Sequence, residues 1–187
     1  MEVEVSAEAK DKRLNRMVAV TVVLLSVFMG LGNIKDGNIV QAMQQAKADS
    51  LDRWSEYQAT RTKLHIVETA RAEVSAVADG HPPASAIATL SGFDAEIAKY
   101  KAEAPRLADE AKGLAGQYDA LNVHDDQFDA SEALISTAIS VAAVAALAES
   151  FWLLAVGWGF GAFGLFMGLC GFAGWAFHPD ILSNFLG

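Results

Sequence analysis

The densest set of chemically competent side chains is the run "HDDQFD", His124 to Asp129. Carboxylates beside an imidazole can hold a divalent cation, which makes His124, Asp125, Asp126 and Asp129 candidate metal ligands. The surrounding residues favour a plainer role. No glycine turn of an oxygen-ligand loop accompanies the run. Asp125 or Asp126 also stands where a carboxylate would cap the N-terminus of the apolar helix that follows. A second mixed stretch, "DRWSEYQATRTKLH" (Asp52–His65), sets Trp54 and Tyr57 among charges, at positions that suit a helix seam better than a ligand cage. His65 and His81 have no partner at metal-binding spacing. The chain has no Gly-x-Ser-x-Gly elbow, no His-Glu-x-x-His pair and no Cys/His nucleophile arrangement. The expectation is a protein that is not an enzyme and carries neither cofactor nor metal.

The elements that must position these residues follow from where the apolar residues lie. Of 187 residues, 52% are hydrophobic, and they gather at the two ends. Residues 131–187 contain no Lys or Arg, and their acids are Glu132, Glu149 and Asp180 alone. The net charge of −9 arises almost wholly from the middle, Lys35 to Asp129, and excludes the basic face that a nucleic-acid partner needs. Cys170, the one cysteine, sits in an apolar run and reads as a packing residue.

Three segments are long and apolar enough to cross a bilayer. Residues 17–34, "MVAVTVVLLSVFMGLGNI", follow a basic segment, 1–16, that holds Lys10, Lys12, Arg13 and Arg16. The run is longer than a signal-peptide core and leads into "NIKDGN" without a cleavage site, so an uncleaved signal anchor is expected. Residues 131–154 form the second segment and 155–177 the third, with a short tail, 178–187, beyond them. Glu149-Ser150 is the polar pair available for a turn between the last two. The excess of basic residues before the first segment places the N-terminus in the cytoplasm and the middle of the chain on the other side, the periplasm.

The third segment is rich in glycine. Gly157, Gly161, Gly164, Gly168 and Gly171 step by four, three, four and three, so they share one helical face. With no lysine and no Gly-Lys-Ser/Thr ending, the run is not a phosphate loop. In lipid, where pressing helices together brings little hydrophobic gain, small residues permit close backbone approach. The glycine face is expected to be a helix–helix contact, and Ala138 and Ala142 of the second segment offer a matching strip.

Between the first and second segments, residues 35–130 read as a long helical hairpin with its tip at 79–85, "DGHPPAS". Leu90, Ile97, Ala104, Ala111 and Tyr118 recur every seven residues, as do Phe93, Tyr100, Leu107, Leu114 and Leu121. That pattern predicts a coiled-coil seam, with Pro105 kinking the helix. The arm before the tip is less regular. Val40, Met43, Trp54, Tyr57 and Leu64 keep one register, and Val67, Val74 and Val77 drift from it, as a stutter would produce. The fold expected is an all-α membrane protein: three transmembrane helices, with an antiparallel coiled-coil hairpin between the first and second.

Two stretches within this layout resemble a bacterial membrane protein family known as domain of unknown function 4337. They are "DRWSEYQATRTK" (Asp52–Lys63) and "YDALNVHDDQFDASEALISTAI" (Tyr118–Ile139). The resemblance implies the bacterial cytoplasmic membrane and brings no activity, cofactor or catalytic residue. In that family the turn between the last two spans tends to be basic, whereas Glu149-Ser150 is not. The functional expectation is an oligomeric scaffold or an accessory subunit of a larger membrane complex, with membrane lipid and protein as its partners. The alternative is an oligomeric channel or transport component, for which Glu149, Ser136, Thr137 and Ser140 are the polar candidates.

Overall fold

The computed structural model describes residues 2–78, 83–175 and 177, with side chains from Lys12 onward. Among the described residues there are three helices and no strand: α1 (Glu2–Val77), α2 (Ala84–Leu147) and α3 (Phe151–Ala173). Residues 79–82 of the expected tip, His81 among them, and the tail 178–187 lie outside the described residues. Each helix contains a window long and apolar enough to cross a membrane. Only 17%, 33% and 39% of those windows, in chain order, is covered by the chain itself, so most of this apolar surface is left open.

One boundary differs from the sequence reading. The break between the last two helices falls at Ala148–Ser150, not between Leu154 and Ala155. The reason is a left-handed helix end. Glu149 has φ 51°, Ser150 N–H donates to Ala145 O at 3.0 Å and Glu149 N–H to Ala146 O at 3.4 Å. These are the two bonds of a Schellman motif, with Glu149 in the place that glycine usually takes. Ser150, in extended backbone at φ −113° and ψ 107°, then starts α3. Pro105 lies exposed within α2 and does not end it.

The chain divides into two compact units, Met43–Asp119 and the remainder, Met1–Ala42 with Ala120–Gly187. In the unit of Met43–Asp119, every contact forward along α1 is a contact backward along α2. Lys47 lies over the Tyr118 ring, Ser50 Oγ donates to Ala111 O at 3.0 Å, and Arg53 pairs with Glu110 at 3.3 Å. Glu68 then pairs with Lys101 at 2.8 Å and Arg71 with Asp94 at 2.5 Å. The buried or half-buried residues of α1 here are Met43, Ala46, Ser50, Arg53, Tyr57, Thr60, Leu64, Val67, Arg71 and Val74, with Trp54 and a few others beside them. Their steps alternate between three and four without a stutter. The drift read from the sequence arose because Ser50, Arg53, Thr60 and Arg71 are polar residues in covered positions, while Val77 is 86% exposed.

In the other unit the three helices pack around small residues. Leu14, Val18, Ala142, Ala145 and Leu154 form one buried cluster, and Leu25, Ile135 and Ala138 form a second. All five glycines of the α3 face are buried. A Cβ on Gly157 would stand 3.2 Å from Ala138 O, and one on Gly164 would stand 2.8 Å from Ile135 Cγ1 and 3.1 Å from Ser131 O. Gly161 and Gly168 also meet α1, at Leu25 and Phe28. Backbone thus lies against backbone, and Ser131 Oγ donates to Gly164 O at 2.8 Å across the contact.

Two alanine substitutions test this packing. Gly164→Ala should cost about 1–3 kcal/mol through overpacking, because Ser131 O belongs to a helix backbone that cannot step aside. Gly159→Ala, whose Cβ would meet nothing within 4 Å, should be neutral or up to about 1 kcal/mol stabilising from helix propensity. Thermal unfolding in mild detergent distinguishes the two, and equal melting temperatures would remove the packing role.

Candidate functional site: a polar junction of α1, α2 and the end of α3

The residues of "HDDQFD" lie within α2, which runs unbroken from Ala84 to Leu147. Neither Asp125 nor Asp126 is therefore a helix N-cap. No Gly or Pro occurs from Gln117 to Ser150, so nothing in this part of the chain starts a new helix, and the backbone N–H groups here are bonded within α2. Their side chains pair sideways instead.

Gln127, fully buried, is the centre of one tie. Its Nε2 donates to Trp175 O at 2.8 Å and to Phe177 O at 2.5 Å, the carbonyls just past α3. Its Oε1 faces His124 Nδ1 at 3.0 Å. With both amide protons directed at carbonyls, Oε1 can only accept, so this arrangement assigns the imidazole proton to Nδ1. The end of α3 is shaped for the tie. Gly174, at φ 68° and ψ 28°, turns the chain out of the helix, and Trp175 N–H donates back to Cys170 O at 3.0 Å.

Beneath this tie lies an aromatic layer. Phe128, 4% exposed, stacks edge-on against Phe172 at 5.1 Å, and Phe28 meets Phe172 at 6.0 Å. Gly32 and Gly171 both face Phe128, and a side chain at Gly171 would collide with its ring, since the added Cβ would lie 2.7 Å from Cε2.

Asp36 of α1 lies among these carboxylates, and its Oδ1 is buried without a hydrogen-bond partner. Burial pushes the Asp36 carboxyl up to about 6, helped by the negative charges of Asp125, Asp129 and Glu132. Asp125 is also raised, by burial and by Asp126, with Asp36 acting in the opposite direction. Asp129 is raised by burial and by Asp125, Asp126 and Glu132. Asp126 accepts a bond from Asn122 Nδ2 at 3.3 Å. Of the four candidate ligands, His124 engages Gln127 and Asp126 engages Asn122, while Asp129 is exposed. Among the described residues, no group of three or more His, Cys, Asp or Glu side chains is placed to hold a metal ion.

The sequence reading missed Asp36 and Gln127. A signal for Asp36 was present, since Gly32, Asp36, Ile39 and Met43 continue the three-and-four spacing of covered positions along α1. For Gln127 there was none, because its partners are backbone carbonyls 48 and 50 residues away.

Gln127→Glu keeps the shape but turns a carboxylate oxygen toward two carbonyls. It should cost about 1–3 kcal/mol and speed amide hydrogen exchange in the last turn of α3. Gln127→Leu should do the same more mildly. Unchanged exchange in both variants would show that the tie does not hold the helix end.

Neither a curated protein nor a solved structure matches the chain. A family profile does, over residues 14–174, which takes in α2, α3 and all but the first turns of α1. The chain belongs to the family described as domain of unknown function DUF4337.

Proposed function

We propose that the chain is a non-catalytic integral membrane protein that serves as a scaffold or as an accessory subunit of a larger membrane complex. The observation that carries this reading is the division of its surface. The apolar windows of α1, α2 and α3 are mostly uncovered by the chain, with Val20, Val23, Leu24, Val27, Leu31 and Ile34 of α1 each more than half exposed. Met43–Asp119 instead presents ion pairs and polar side chains around a narrow apolar seam. The first kind of surface suits lipid and neighbouring spans, and the second suits water and a soluble partner.

In this reading Met43–Asp119 is an antiparallel coiled-coil hairpin outside the bilayer. Its support is the reversed order of contacts from Lys47–Tyr118 to Arg71–Asp94 and the three-and-four spacing of covered residues on both helices. The membrane is the bacterial cytoplasmic membrane, with the N-terminal basic segment inside and the hairpin in the periplasm. Homo-oligomers or foreign subunits cover part of the exposed spans. The glycine face is not the surface that calls for them, since α2 and α1 already fill it.

Less supports a channel. Thr137 Oγ1 donates to Ala133 O at 2.8 Å, Ser136 Oγ to Ala133 O at 3.1 Å and Ser140 Oγ to Ser136 O at 2.9 Å. These hydroxyls bond their own helix instead of lining a wet path.

Two measurements test the reading. Native mass spectrometry from mild detergent should give multiples of the 19.9 kDa chain or a constant foreign subunit bound to it, and a single bare copy would overturn the scaffold role. For orientation, Ser85→Cys in a Cys170→Ala background should label with an impermeant maleimide in spheroplasts. Labelling only after lysis would place the hairpin in the cytoplasm.

A further inference from the structure

We propose that the groove between α1 and α3 seats one acyl chain of an anionic phospholipid, whose phosphate is held by Arg13 at the N-terminal end of the same flank of α1. The proposal rests on the reading of these helices as membrane spans.

The lining of the groove points to hydrocarbon. Thr21, Leu24 and Leu25 of α1, with Trp158, Gly161 and Leu165 of α3, bound a cavity of about 220 Å³. Thr21 and Trp158 bring the polar side-chain atoms of this lining, and they meet each other: Trp158 Nε1 donates to Thr21 Oγ1 at 2.9 Å. An indole has one proton to give, so Trp158 keeps none for a polar ligand. Gly161, buried against Leu25, keeps the floor low. Leu24 and Trp158, 65% and 43% exposed, stand on the open side. A space of this size takes a run of methylenes and is too narrow for a helix about 10 Å across.

Charge selects the kind of lipid. A hydrocarbon chain gains little by leaving one apolar surrounding for another, so the chain alone brings no preference. Arg13, Met17, Thr21 and Leu24 step by four, four and three, which puts them on one flank of α1. Arg13 precedes Thr21 by about 12 Å along the helix axis. It lies just outside the apolar run that begins at Met17, at the depth of a headgroup. Helix α3 accompanies α1 to this level, since Leu14 and Val18 are buried with Leu154. Arg13 itself is exposed, and among the described residues no carboxylate pairs with it. Its fork of N–H donors matches phosphate oxygens, and its uncompensated charge favours a headgroup of net negative charge.

The test uses the full chain, delipidated in nonionic detergent, with phosphatidylglycerol or phosphatidylcholine added and bound lipid counted by native mass spectrometry. One phosphatidylglycerol per chain should bind about fivefold tighter than phosphatidylcholine, the gain expected of one cation at a headgroup. Glycerol phosphate, a headgroup without chains, should not bind. Arg13→Gln should bring the two lipids to equal affinity. Ala162→Phe, which fills the groove from an exposed position, should weaken both. Ala143→Phe, on the exposed face of α2, should weaken neither. Equal affinity for the two lipids in the parent, an unchanged preference in Arg13→Gln, or equal binding by the Ala162 and Ala143 variants would overturn the seat. Alkaline carbonate extraction of native membranes is run beside it. Release of the chain would overturn the membrane reading together with the seat, whereas a chain that stays embedded and fails the lipid test loses the seat alone.

Discussion

Contact between the backbones of α3 and α2 sets the geometry of the three-helix unit. Gly157, Gly164 and Ser131 leave no room for a side chain between the two helices, and Ser131 Oγ fixes the register by donating to Gly164 O. Such contact rests on dispersion and on the exclusion of alternatives. A shift of one residue would bring Phe163 or Leu165 against α2 in place of Gly164. The glycine spacing therefore specifies one register as well as permitting closeness.

From that register the polar junction follows step by step. With Gly164 on Ser131, Gly171 falls on Phe128, and the chain leaving α3 passes over Gln127. Phe28 of α1 meets Gly168, and one turn on, Gly32 meets the same Phe128 ring. The next covered position along α1 is Asp36, which lies among the acids of α2. Two glycines from two helices, Gly32 and Gly171, thus make room for Phe128. Of the buried polar groups beyond it, Gln127 is tied to backbone carbonyls, while Asp36 Oδ1 has no partner.

Much of this was legible in the sequence, because its determinants are periodic. The glycine face, the heptads from Leu90 to Leu121 and the polar turn at Glu149-Ser150 are local patterns, and a helix repeats them at fixed intervals. The failures have physical reasons too. Reading apolar character alone gave a false stutter on α1, since Ser50 and Thr60 are buried, at 8% and 6% exposure, as polar residues small enough for the seam. The second segment was set too long because Phe151, Trp152, Leu153 and Leu154 are apolar on both sides of a turn made by backbone dihedrals. The acidic run was read as a cap because its continuation into α2 depends on the absence of a breaker, a weaker signal than a cap. Asp36 was passed over since a lone acid after an apolar run resembles a boundary residue, and only the acids of α2 around it give it meaning.

The two determinants of the three-helix unit respond to different conditions. Contact over glycine is steric, and neither pH nor salt changes the space that a Cβ would need. The acid cluster is electrostatic: Asp36, Asp125, Asp126, Asp129 and Glu132 act on one another as negative charges. Retaining several carboxyls on facing helices costs stability in their ionised form. The α2–α3 contact is thus fixed by shape, while the carboxyl groups around Asp36 oppose the approach of α1 to α2 once they are ionised.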